Sequence, residues 1–151
     1  MTRRWEVAVA ALVAAGACAR LEPDVGPLLA GICDNADGDP GAKVSFAGQI
    51  RPLLTRDTAG CSCHMPLSGG PGMATQLSGL DLSSWASLRS GGFNSGAQIV
   101  VGGQPCDSIL YQKISDAPPF GSRMPLTGPP YLSAAELQLV HDWIAEGARD
   151  N

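Results

Sequence analysis

The sequence predicts a small all-α domain of about four short helices joined by long loops, and three observations carry that prediction. Apolar residues recur at helical spacings in several short runs, and hardly any stretch reads as strand. Glycine and proline, 19 and 12 of the 151 residues, fall mostly between those runs. Ser133-Ala134-Ala135-Glu136 near the C-terminus is a capping box that opens the clearest helix of the chain.

The chain has room for one domain behind an N-terminal segment. Arg3 and Arg4 lead into an apolar run from Val7 to Ala15, then Gly16, Ala17 and Cys18. A basic start, a short apolar stretch and small residues before a cleavage point describe a secretory signal over residues 1–17. The run is too short to span a bilayer. Ala-Gly-Ala before Cys18 resembles a bacterial lipobox, which makes Cys18 the expected lipidation site; ordinary cleavage nearby is the alternative. Ala19 after the cysteine favours the periplasmic side of the outer membrane or the cell surface. Residues 18–43, with Pro23, Pro27, Gly31, Gly38, Pro40 and Gly41, read as a flexible tether to a domain over 44–151. Asp34-Asn35-Ala36-Asp37-Gly38-Asp39 lacks the glycine and glutamate positions of a calcium loop and reads as an acidic turn.

Within the domain, Ser45 is placed to cap a helix whose apolar stripe is Phe46, Ile50, Leu53 and Leu54, with Pro52 shortening or kinking it. Residues 66–79 read as loop. Leu80-Asp81-Leu82 reads as extended, followed by a helical turn over Ser83–Arg89 that Gly91-Gly92 ends. Ile99-Val100-Val101 reads as extended, and Asp107 is expected to cap a short helix through Ile109, Leu110 and Ile114. Residues 117–130 carry five prolines and form an irregular arm. The last helix runs to about Ala145 or Glu146, with Gly147 as its C-cap. Only 5% of residues are aromatic, so so loop-rich a domain calls for extra stabilisation from a disulfide and a large apolar cofactor.

Removal of residues 1–17 takes away Arg3, Arg4 and Glu6 and leaves 8 basic against 13 acidic residues, a net charge of −5. That balance argues against nucleic acid or an anionic lipid surface and leaves the anchor as the membrane contact. It suits a basic protein partner. No base or nucleophile constellation for substrate chemistry stands out, which points away from an enzyme.

The chemistry concentrates at Cys61-Ser62-Cys63-His64. Covalent haem attachment uses Cys-x-x-Cys-His, two thiols for the vinyl groups and a histidine for iron, and here one residue is missing between the cysteines. On a helical turn, thiols two residues apart point to opposite sides of the axis. Two thioethers therefore need a non-helical turn at Gly60–Cys63; otherwise Cys63 attaches alone and leaves Cys61 available for a disulfide. In a third reading no haem binds and all four thiols pair, with a direct Cys61–Cys63 bridge disfavoured by strain. If both motif cysteines hold haem, Cys33 and Cys106 are left as an even pair for a disulfide.

Met124, in Arg123-Met124-Pro125, lies 60 residues beyond His64 on the proline-rich arm and is the candidate distal ligand, against the alternative that it only packs on the core. Sulfur opposite histidine raises a haem reduction potential. Met65 is too close to His64 to reach the opposite face, Met73 is a weaker competitor, and His141 reads as a histidine flanking the buried stripe or facing solvent. A small zinc site at Cys61, Cys63 and His64 is a further reading, short of a fourth ligand.

Phe46–Leu54 ahead of the motif, Gly79-Leu80-Asp81-Leu82, Ile99–Gly102, Ser108–Ile114, Arg123-Met124-Pro125 and Leu132–Ala148, ending in Trp143-Ile144-Ala145-Glu146-Gly147-Ala148, together resemble the planctomycete-type cytochrome c domain over about residues 44–149. The resemblance implies a class I cytochrome c-like helical fold whose first and last helices meet through Phe46 and Trp143. It implies Cys63 as second attachment thiol, His64 as proximal and Met124 as distal iron ligand, with Cys61 a loose match to the first thiol. The segment from Leu54 to the motif is about two residues longer than usual for that family. The expected function is that of an exported monohaem c-type cytochrome carrying single electrons between periplasmic redox partners. The alternative is a haem-free, disulfide-stabilised lipoprotein binding module on the same fold.

Overall fold

The computed structural model describes residues 33–39, 41 and 43–151. The signal segment 1–17, the lipidation site Cys18 and most of the tether lie outside the described residues. Among those described the chain is mostly helical and has no strand: five short α-helices are joined by tight turns and loops. No described helix is long and apolar enough to cross a membrane.

The first helical segment begins at Ser45, whose hydroxyl accepts the Gly48 N–H at 3.0 Å. It opens as a wide π turn over Phe46–Ile50 and continues as α1, Arg51–Thr55. Pro52 falls in the first turn of α1, where its missing N–H costs least. Phe46, Ile50, Leu53 and Leu54 are all buried, as their spacing requires.

Residues 73–78, expected as loop, form α2 (Met73–Ser78), which ends at Gly79 with φ +74°. It buries no side chain, so no apolar stripe betrays it in the sequence. Helix α3 (Trp85–Ser90) is opened by a box in which Ser84 and Ser87 bond each other's backbone N–H. A 3₁₀ turn occupies Gly96–Ile99, so of the expected extended run only the part from Val100 onward is extended. Asp107 does not cap the next helix: it closes a second 3₁₀ turn, Pro105–Asp107, and Ser108 is the N-cap of α4 (Ile109–Ile114). The Ser108 hydroxyl is spent inward, accepting from Val101 N–H (2.8 Å) and donating to the Gln104 carbonyl (2.9 Å).

Helix α5 (Ala134–Ala145) starts with the Ser133–Glu136 capping box and is followed by Gly147 at φ +98°. Its inner face, Val140, Trp143 and Ile144, is wholly buried. The Trp143 ring meets Phe46 at 5.4 Å between centroids and donates its N–H to the Arg149 carbonyl. The start of the first helical segment is tied to the C-terminus there: Phe46 and Ala47 N–H groups donate to Asn151. The short segment 33–39 also lies against α5. Asp34 and Asp37 carbonyls accept from His141 and Gln138, and the Asp39 N–H donates to Asp142. The acidic turn is present, with the Asp34 carboxylate accepting the Ala36 N–H. Cys33 and Cys106 are joined by a disulfide that closes a separation of 73 residues, Cα atoms 5.7 Å apart.

Candidate functional site

The motif turn is built by close backbone approaches at both ends. A Cβ on Gly60 would stand 2.2 Å from the Arg56 carbonyl oxygen, and one on Gly72 would stand 2.3 Å from that of Met65 and 2.6 Å from that of Cys63. Between these points Cys61 adopts a non-helical conformation (φ −117°, ψ 40°) and Ser62–His64 form one 3₁₀ turn. The Cys61 N–H donates to Leu54 at 2.6 Å, which hangs the turn from the end of α1. The Leu82 N–H donates to the His64 carbonyl and anchors its other side.

This geometry separates the two thiols. Cys61 is buried and Cys63 is exposed, and neither is in a disulfide. Burial, with a smaller contribution from the neighbouring Cys63, pushes the Cys61 thiol up to about 11, so it is a neutral S–H at physiological pH. The pairing of all four thiols is therefore not the arrangement found.

Cys61 and His64 form part of the wall of an apolar cavity of about 120 Å³ that opens to solvent. Leu80, Leu82, Ile99, Leu110 and Ile114 supply the greasy walls, and Met124 reaches it from the proline-rich arm. Cys63 does not line it. The structure thus brings together Cys61, His64 and Met124 and leaves out Cys63, the cysteine that the resemblance places more firmly at the attachment point. The cause is local: with one residue between them and a 3₁₀ turn after Cys61, the two side chains leave the backbone in different directions.

His64 is buried, and its Nδ1–H donates to the Leu80 carbonyl at 3.1 Å, with the Ser78 hydroxyl 3.4 Å from the same nitrogen. That bond fixes the tautomer and leaves Nε2 with a free lone pair, the form in which imidazole binds a metal. Burial lowers the His64 pKa, and the Leu80 bond opposes this only in part, so the ring is neutral near pH 7. Met124 is half-buried against the core, and its N–H donates to the Lys113 carbonyl at 2.7 Å. Met73 is 74% exposed on α2 and takes no part in the cavity; Met65 is half-buried and does not line it.

A zinc site at Cys61, Cys63 and His64 finds no support in the placement of these groups. Among the described residues the three metal-ligating side chains that do converge are Cys33, Cys106 and His141, and there the sulfurs are bonded to each other. His141 is buried rather than solvent-facing, edge-on to Tyr111, with Nε2 2.8 Å from the Asp34 carbonyl. The cavity was the feature that sequence reasoning could not outline: Leu80, Ile99 and Ile114 carry no local sign that they face a common space. Lys113 was missed as a cavity residue for the same reason.

Comparisons with family models, with curated proteins and with solved structures find no match for this chain.

Proposed function

We propose that this chain is an exported monohaem c-type cytochrome that carries single electrons between redox partners and catalyses no reaction of its own. The observation that supports this best is the convergence of a neutral imidazole, a thioether and a thiol on the wall of one apolar cavity. Its donor set fits a haem: His64 and Met124 are the ligand types of a high-potential iron, and the apolar walls suit a porphyrin face. When bound, the haem iron supplies a one-electron couple. The protein's own residues do the rest. Leu80 orients His64 through its carbonyl, the arm presents Met124, and Leu82, Ile99 and Ile114 keep water from the space between them. Cys61, which lines the cavity, would hold the group through a single thioether; Cys63 does not line it. The acidic surface, with its excess of carboxylates, suits a basic protein partner.

The test is an absorption spectrum and a haem stain of the denatured protein, made alongside a c-type maturation system. A stain that survives denaturation, is lost in Cys61→Ala and persists in Cys63→Ala is the expected result. Loss in Cys63→Ala instead reassigns the attachment to the outer cysteine. A colourless wild-type protein overturns the electron-transfer reading in favour of a haem-free binding module.

A further inference from the structure

Met124 sits on an arm whose composition gives it no structure of its own: residues 115–130 contain no helix, and prolines and glycines recur along them. Yet a distal iron ligand must be held in place, since a free arm would exchange sulfur for water. The restraint comes from the end of α4. Lys113 reaches the arm twice over. Its backbone carbonyl accepts the Met124 N–H at 2.7 Å, and its ammonium donates to the Phe120 carbonyl at 2.7 Å and the Ser122 carbonyl at 2.5 Å. The same ammonium lies 5.0 Å from the centre of the Phe120 ring. One residue further on, the Ile114 carbonyl accepts from Arg123 Nε at 3.1 Å, and Arg123 also pairs with Asp116. The last two carbonyls of α4, which a helix end leaves without internal partners, are thus both taken by the arm.

We propose that Lys113 is a positioning residue that clasps the arm and holds Met124 at the cavity, an inference that rests on the haem-binding reading for its purpose but not for its geometry. Hydrogen bonds from an ammonium to carbonyls two residues apart on the arm are stronger than neutral ones. They neutralise backbone polar groups that otherwise compete for water. Lys113 itself lines the cavity beside Ile114 and Phe120, so the clasp closes where the arm meets the ligand space.

The first test needs no haem. Peroxide oxidation of the methionines, followed residue by residue by mass spectrometry, compares the wild type with Lys113→Met, which keeps the stem and removes the donors. Met124 is expected to oxidise about tenfold faster or more in the variant, as losing charge-assisted hydrogen bonds raises the open population of the arm. Exposed Met73 and half-buried Met65 serve as internal references and keep their wild-type rates. Lys113→Arg, which retains a cationic donor, restores slow oxidation. If Lys113→Met fails to fold, Lys113→Gln carries the same comparison. An unchanged Met124 rate overturns the clasp. The second test is on haem-loaded protein: Lys113→Met is expected to lower the reduction potential and weaken the sulfur-to-iron absorption while the covalent stain remains. A potential equal to the wild type, with Met124 oxidising faster in the haem-free form, overturns the role in ligand positioning. A wild-type protein that takes up no haem refutes the electron-transfer reading, and the oxidation rates then still decide the clasp.

Discussion

His64 and His141 are both buried and both lie near cysteines, but their surroundings have opposite characters. Around His141 the space is filled with protein, although the buried Nδ1 has no hydrogen-bond partner. Nε2 meets the Asp34 carbonyl, the ring stands edge-on to Tyr111, the nearby sulfurs are bonded to each other, and Phe46 packs on Trp143 in the same helix. Around His64 one nitrogen is likewise hydrogen-bonded, but the nearby Cys61 is a free thiol and the walls enclose space instead of side chains. The first region has the makings of a structural anchor and the second of a receptor. The contrast teaches that a buried histidine beside cysteines carries no function by residue type alone; each ring has one hydrogen-bonded nitrogen, and what differs is whether packed side chains or open space lie around it.

Four variants break or sharpen that contrast. The largest effect belongs to the closed side: Trp143→Ala is expected to lower unfolding free energy by about 3–5 kcal/mol, because a wholly buried indole is replaced by a void against Phe46. Denaturant unfolding reads this, and a loss under about 1 kcal/mol would mean that the side facing α5 is not the anchor. Next, Cys106→Ser is expected to cost about 2–4 kcal/mol, since the bridge closes a 73-residue separation and pins Cys33 to the 3₁₀ turn Pro105–Asp107. Met124→Ala, by the same measurement, should cost less than either, as a half-buried side chain at a cavity edge.

The smallest effect tests the link between the two regions. Arg56, just beyond α1, pairs with Glu136 in the first turn of α5 at 2.5 Å. The hydrogen bond from Arg56 holds the Glu136 carboxyl well below its ordinary range, at about 2, with the Ser133 backbone bond also contributing. A depressed folded-state pKa means that the pair's stabilisation is complete above about pH 4.5 and is lost as pH falls towards 2. Both partners are about a third exposed, which limits the worth of the pair to about 1 kcal/mol or less. Glu136→Gln should therefore be slightly less stable at pH 7 and show a shallower decline between pH 4.5 and 2. Parallel pH profiles for the two proteins would show that the pair does not join the two sides.

Helices with a buried stripe or a capping box were legible in the sequence. Ser45, the stripe from Phe46 to Leu54, Ser133 with Glu136, and Gly147 all act as their spacing requires. Helix α2 was not, because a helix that buries nothing leaves no apolar period. Asp107 misled for a related reason: aspartate and serine are both good caps, and the choice of Ser108 follows from a turn that closes over residues 101–108.

The sequence by itself determined the helical class, the placement of a cysteine–histidine motif after the first helix, and the presence of one methionine on a proline-rich arm. These are local properties, set by spacing and by residue chemistry over a few positions. Tertiary structure alone decided which thiol of Cys61 and Cys63 faces the interior, that His64 and Met124 share a cavity, and that Lys113 holds the arm. Those outcomes depend on contacts between segments far apart in the chain, and on a single backbone turn whose direction no periodicity records.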